Sequence, residues 1–320
     1  MDLLNKLEKW RKLPHKIKRM WERQCNKHHA YDYPETSGGW RKYGLKPVYG
    51  NISTGSIFDP YVQKYGEEYV MYASERNSGS IIRLESSDGK SWKNKQVCLC
   101  GGCLKWAASV NRACVMLKDN EWHMWFTGQT NNVSVIGYAR SKDGILFHPV
   151  SDIPALHPIE AYEGNSVMNP CVLWDAQKSI YKMWYSAGED YEPDVICYAE
   201  SSDGMLWQRY REPVMCPDIK YKYAQYKLGG CDVKYLNGKY VMFYIGYQNL
   251  DVARICKAES IDGIHWMPSA DNPIIAPTYG SWDADAVYKP SVVSEGDTFL
   301  LWYNGRHKRR EYIGLALFRE

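Results

Sequence analysis

Aligned on a shared valine, five segments of the chain set one acid among cations. They read Asp59-Pro60-Tyr61-Val62, Arg112-Ala113-Cys114-Val115, Asn169-Pro170-Cys171-Val172, Gly230-Cys231-Asp232-Val233 and Lys289-Pro290-Ser291-Val292. The leading column is therefore Asp59, Arg112, Asn169, Gly230 and Lys289. A structural core would place apolar or small residues there. Burying one carboxylate, two cations and an amide without partners is costly, so the column is either a closed polar network or a ligand site. Arg112 and Lys289, with Arg306 later in the chain, suit a ligand bearing an anionic group.

The column converges only if the five segments are equivalent strands, and two repeated signatures say that they are. Asp-Gly followed by an aromatic recurs at Asp88-Gly89, Asp143-Gly144, Asp203-Gly204 and Asp262-Gly263, in steps of 55, 60 and 59 residues. An aromatic strand recurs at Tyr69–Tyr72, His123–Phe126, Lys182–Tyr185, Tyr240–Tyr244 and Phe299–Tyr303. Five copies of an antiparallel meander predict an all-β fold, a five-bladed β-propeller whose first strands line the central channel. The fifth copy lacks a fourth strand. Trp40 precedes Pro47-Val48 by the spacing that separates Trp266 from Pro273-Ile274, so the segment near 38–48 is expected to complete the last blade.

The domain is expected to span 30–320, after an extension over 1–29. That extension holds nine cations against three acids, so the remainder carries −3 of the net +3. Leu3, Leu7, Trp10, Ile17 and Trp21 recur at helical spacing, which predicts a basic amphipathic helix that packs on the propeller or touches an anionic membrane surface. The overall charge argues against nucleic acid. Cys114, Cys171, Cys197, Cys231 and Cys256 fall within strands and read as small apolar fillers. No apolar signal segment precedes the domain, which points to a reducing cytoplasm and free thiols. Cys98, Cys100 and Cys103 have no second cluster at zinc-like spacing and read as a loop. No metal or other cofactor is expected.

In a meander the start of strand one and the end of strand two share a face. That face carries Glu75, Arg76, the loop from Glu189 through Glu192 to Asp194, and Arg306. The entries to the first strands add Glu163, Asp283 and Asp285. Of these, Glu75, Arg76, Glu189, Asp194, Asp283 and Arg306, together with Arg112, Asn169, Asp232 and Lys289, make the candidate substrate-binding set. The Asp-Gly turns lie on the opposite face, so their aspartates are turn formers.

At this point the chain resembles the five-bladed glycosidases, the broad set that includes families 43, 32 and 130. The resemblance covers residues 36–320, with Trp282–Pro290 and Trp302–Arg306 similar to a family-43-like branch. It implies a carbohydrate substrate. It also implies that Asp59 is the base or nucleophile, since it matches the blade-one aspartate. Glycoside hydrolysis needs a second carboxyl group to protonate the leaving oxygen. Asn169-Pro170 departs from the family pattern of a blade-three glutamate, which leaves Asp285, Glu163 and Glu192 as candidates. Two other readings stay open: phosphate-dependent phosphorolysis or transfer on the same fold, and a non-catalytic glycan-binding propeller.

Overall fold

The computed structural model describes Ile17 and residues 37–131, 133–189 and 193–319. Apart from Ile17, the expected helix over 1–29 lies outside the described residues, and so does Glu192. Among the described residues no helix is long and apolar enough to cross a membrane.

After β1 (Arg41–Lys42), strands follow in sets of four. The first set is β2 (Ile57–Tyr65), β3 (Glu68–Glu75), β4 (Ser80–Ser86) and β5 (Lys93–Cys100). The second is β6 (Ser109–Lys118), β7 (Glu121–Thr130), β8 (Val133–Ser141) and β9 (His148–Pro149). The third is β10 (Ser166–Asp175), β11 (Ile180–Gly188), β12 (Val195–Ser201) and β13 (Gln208–Arg209). The fourth is β14 (Lys227–Leu236), β15 (Lys239–Tyr247), β16 (Ala253–Ser260) and β17 (Met267–Pro268). β18 (Ala286–Glu295), β19 (Thr298–His307) and β20 (Arg310–Arg319) close the chain. Each set is an antiparallel meander, and one parallel bridge, Ser166 to Ser134, joins the second and third. The core lies between sheets that pack face to face. Ile57 and Val62 of the first meander share one cluster with Trp302 and Leu315 of the last. Second strands are covered on both faces, so they read as apolar runs rather than alternating ones.

The two sequence signatures turn out to be halves of one device. The strand-two aromatic of one meander donates to the Asp-Gly turn of the next. Tyr72 Oη reaches Gly144 O at 2.7 Å, and the Nε1 atoms of Trp125, Trp184 and Trp302 reach the carbonyls of Gly204, Gly263 and Gly89, each at 2.8 Å. The last of these links the final meander back to the first. The fourth meander has Phe243 here, a ring with no donor, and the fifth has no Asp-Gly turn to accept. Within each turn the aspartate accepts two backbone N–H groups, as at Asp203 from Met205 and Leu206. Those bonds hold Asp88 down to about 2. These aspartates form turns, as expected.

β1 pairs antiparallel with β20, Arg41 opposite Leu317 and Lys42 opposite Ala316. This is the pairing anticipated for the Trp40 segment. Trp40 is buried and stacks on Phe318 at 5.4 Å. Lys42 Nζ lies 2.7 Å from Asp283 Oδ2, and the Asp283 side chain is 1% exposed. A Lys42→Ala chain leaves that carboxylate buried without its cation. It is expected to lose about 3 kcal/mol of stability, read as a lower denaturation midpoint.

Candidate functional site

The five column residues sit at five equivalent β-bulges. Strand register jumps between Phe58 and Tyr61, Asn111 and Cys114, Met168 and Cys171, Gly229 and Asp232, and Tyr288 and Ser291. The first bulged residue has positive φ in every case: 51° at Asp59, 56° at Arg112, 54° at Asn169, 23° at Gly230 and 40° at Lys289. A bulge re-aims the side chain it carries. Non-glycine residues accept this region at a cost of about 1–3 kcal/mol where the surroundings hold them. Here side chains of the preceding meander do so. The backbone N–H groups of Asp59, Arg112, Asn169 and Gly230 donate to Asn304, Ser74, Thr127 and Ser186.

Two residues further on, a second ring ties the meanders together. Ser291 Oγ accepts the Val62 N–H at 2.8 Å, Cys114 Sγ that of Val172 and Cys171 Sγ that of Val233, both at 3.2 Å, and Asp232 Oδ2 that of Val292 at 2.6 Å. Cys114 and Cys171 are thus axial acceptors as well as fillers. Asp232, expected to bind substrate, is 2% exposed, pairs with Lys234 at 3.1 Å and serves this ring instead. The nine described cysteines are free thiols. Among the described residues no three His, Cys, Asp or Glu side chains are placed to hold a metal ion.

Above these rings opens a cavity of about 600 Å³. It brings together six of the expected residues: Asp59, Glu75, Arg76, Arg112, Asn169 and Arg306. Asp59 is 6% exposed and pairs with Arg112 Nε at 3.2 Å. Burial raises its pKa; Arg112, Lys289 and Arg76 oppose the rise, and the Glu311 charge adds to it. Among the described residues Arg112 Nη1 meets no oxygen, only the Met168 thioether at 3.1 Å, a weak acceptor. Glu75 pairs with Lys95 at 2.5 Å, and burial opposes the downward pull of Lys95 and Ser78 on its pKa. Arg76 pairs with Glu311 and lies over the Phe58 ring. Arg306 reaches Asp251 Oδ1 at 3.5 Å.

Other expected residues lie away from the cavity lining. Lys289 is 1% exposed; its Nζ donates to Cys231 O at 3.1 Å, so it acts on Asp59 by charge from beneath. Glu163, with its side chain fully enclosed, accepts from Ile159 N, Glu160 N, Tyr185 Oη and Arg209 Nε at 2.8–3.0 Å. Asp283 anchors Lys42. Asp285 accepts the Lys308 N–H at 2.5 Å and shapes the β19–β20 hairpin. Asp194 ties its loop to Lys227 at 2.6 Å and accepts the Glu189 N–H, and Glu189 is exposed.

Glu311 was missed. It lines the cavity, accepts from Asn304 Nδ2 at 3.3 Å and stands opposite Arg306 in the β19–β20 register. The start of a third strand shares a face with the end of the second. Extending the reading from Arg306 around its hairpin to the start of the next strand would have reached it.

No protein-family profile matches the sequence. An uncharacterized protein of Mycobacterium tuberculosis strain H37Rv is 29% identical over 212 residues, 61% of this chain and 66% of that protein. A second, from strain CDC 1551, is 29% identical over 206 residues with the same coverage. The chain thus matches 66% of the length of these relatives. Among solved structures, a glycoside hydrolase superposes with a TM-score of 0.74 at 17% identity, covering 97% of this chain and 96% of that one. A thermostable family-43 glycoside hydrolase gives 0.66 at 18% identity, with 81% and 88% covered. The fold is that of the propeller glycosidases. A third solved structure is similar at 0.65 and 15% identity, with 89% and 94% covered. Its structure is described for the GH130 family of mannoside phosphorylases, which contains glycoside hydrolases that target beta-1,2 mannosidic linkages in Candida mannan.

Proposed function

We propose that the chain is a five-bladed propeller enzyme that cleaves a glycosidic bond in a glycan bearing an anionic group. Each meander is one blade, and the cavity is the mouth of the central channel. One observation carries the reading: the single acid among five equivalent bulge positions lies on the cavity floor beside an arginine whose Nη1 lacks an oxygen acceptor. Asp59 is the base or nucleophile. Glu311 is the second carboxyl group: it lines the same cavity and accepts from Asn304, the residue whose Oδ1 accepts the Asp59 N–H. The lining holds five cations, Arg76, Arg112, Arg306, Lys308 and Arg309, against three acids, a surplus that suits an anionic sugar. It also suits inorganic phosphate, the phosphorolytic variant of the reading. The basic 1–29 segment is proposed as a contact for anionic lipid.

An Arg112→Met enzyme is expected to bind an acid-bearing glycan about 10- to 100-fold more weakly, the loss of one charge-assisted contact, and a neutral analogue less so. Its kcat/KM profile should also move. The Arg112 charge pulls hardest against the burial that raises the Asp59 pKa, so its removal shifts the acidic limb to higher pH. Unchanged selectivity between acidic and neutral glycans would refute the anion role. The 3.2 Å Asp59–Arg112 pair also favours a second reading, a non-catalytic glycan-binding propeller. In that case a bound oligosaccharide survives long incubation intact.

A further inference from the structure

Beside the central cavity, across the β19–β20 hairpin, lies a second pocket of about 430 Å³. The hairpin divides its side chains between the two. Lys308, Arg309 and Glu311 line the central cavity, and His307, Arg310 and Tyr312 line the lateral one. The segment after β1 forms the opposite wall with Lys46, Pro47 and Ile52. Resting on the glycan reading of the central cavity, we propose that this pocket holds a further acidic sugar unit of the same glycan.

Three observations support it. First, the aromatic walls are preformed. Trp282 lies across Gly305 and Gly314 and stacks on Tyr303 at 5.9 Å; a Cβ at Gly305 would come within 2.5 Å of its ring. Gly50, at φ 99°, presses the loop onto Tyr312, where a Cβ would meet the ring at 2.8 Å. Fixed aromatic surface is what the C–H face of a sugar packs on, and the volume lies in the range of small-molecule sites. Second, the lining holds two charged groups, Lys46 and Arg310, and two titratable ones, His307 and Tyr312, with no carboxylate among them. Lys46 and Arg310 are exposed and form no ion pair among the described residues. His307 faces Asp285 at 3.3 Å from outside the lining. An anionic substituent matches that set. Third, the two pockets share one hairpin, so a glycan seated in the first can continue into the second.

The test is an array of uronic-acid, sulfated and phosphorylated oligosaccharides graded in length, with neutral counterparts. It is probed with wild type and with a Lys46→Ala/Arg310→Ala double variant, whose fold is checked by thermal melting. Acidic ligands should bind wild type more tightly as they lengthen. The double variant should lose about tenfold on the longer ligands and nothing on the shortest. Equal binding of long acidic ligands by both proteins overturns the lateral site, and so does wild-type binding that never improves with length. Either result leaves the central site standing. If wild type holds no glycan, the central reading fails and this one with it.

Discussion

Replacing Asp59 with Asn is expected to lower turnover by about 100- to 10,000-fold, the range that a positioned acid–base group supplies. The substitution keeps the shape and the positive-φ backbone, since Asn tolerates that region better than most residues. It removes only the charge that faces Arg112 at 3.2 Å. Melting behaviour should therefore stay close to wild type while kcat falls. The wild-type kcat/KM profile should lose activity on its acidic side above the ordinary value of 3.8, because burial lifts the Asp59 carboxyl against the pull of Arg112, Lys289 and Arg76. Full activity in Asp59→Asn on any glycan that wild type cleaves would remove Asp59 from the chemistry.

Glu163→Ala should do the reverse and lower stability with little change in turnover by the folded protein. The enclosed carboxylate satisfies two backbone N–H groups, Tyr185 and Arg209. Removing one partner of a buried pair costs about 3–5 kcal/mol. Burial works to raise the Glu163 pKa, but these four donors outweigh it and hold it below 4.5. Its contribution is thus complete above that value and disappears as the pH falls through the lower folded one. Denaturant titration between pH 3 and pH 7 would show this stability difference narrowing toward the acid side. A variant that kept its stability but lost turnover would restore Glu163 as the catalytic acid.

The repeat was legible because hairpin turns and strand-two aromatics are chosen locally. Even their direct bonding, such as Trp302 to Gly89, follows once both are known to recur. The column of five was legible too, helped by Pro60, Pro170 and Pro290, which lack the N–H that a bulge leaves unpaired. What each acid does was not legible. Glu163, Asp283 and Asp285 enter their strands as Asp59's potential partners would, but Arg209, Lys42 and the Lys308 N–H claim them from distant or folded-back parts of the chain. Glu311 needed the register of the last hairpin, in which it stands opposite Arg306.

The central claim is tested most directly by incubating wild-type protein with the acidic and neutral glycan panel, with and without inorganic phosphate, and separating the products by chromatography. The account predicts release of a shorter sugar from an acid-bearing member. Free sugar without phosphate marks hydrolysis, and a sugar phosphate only when phosphate is present marks phosphorolysis. An acid-bearing glycan that binds and is recovered whole under every condition would contradict an enzyme and leave a binding propeller in its place.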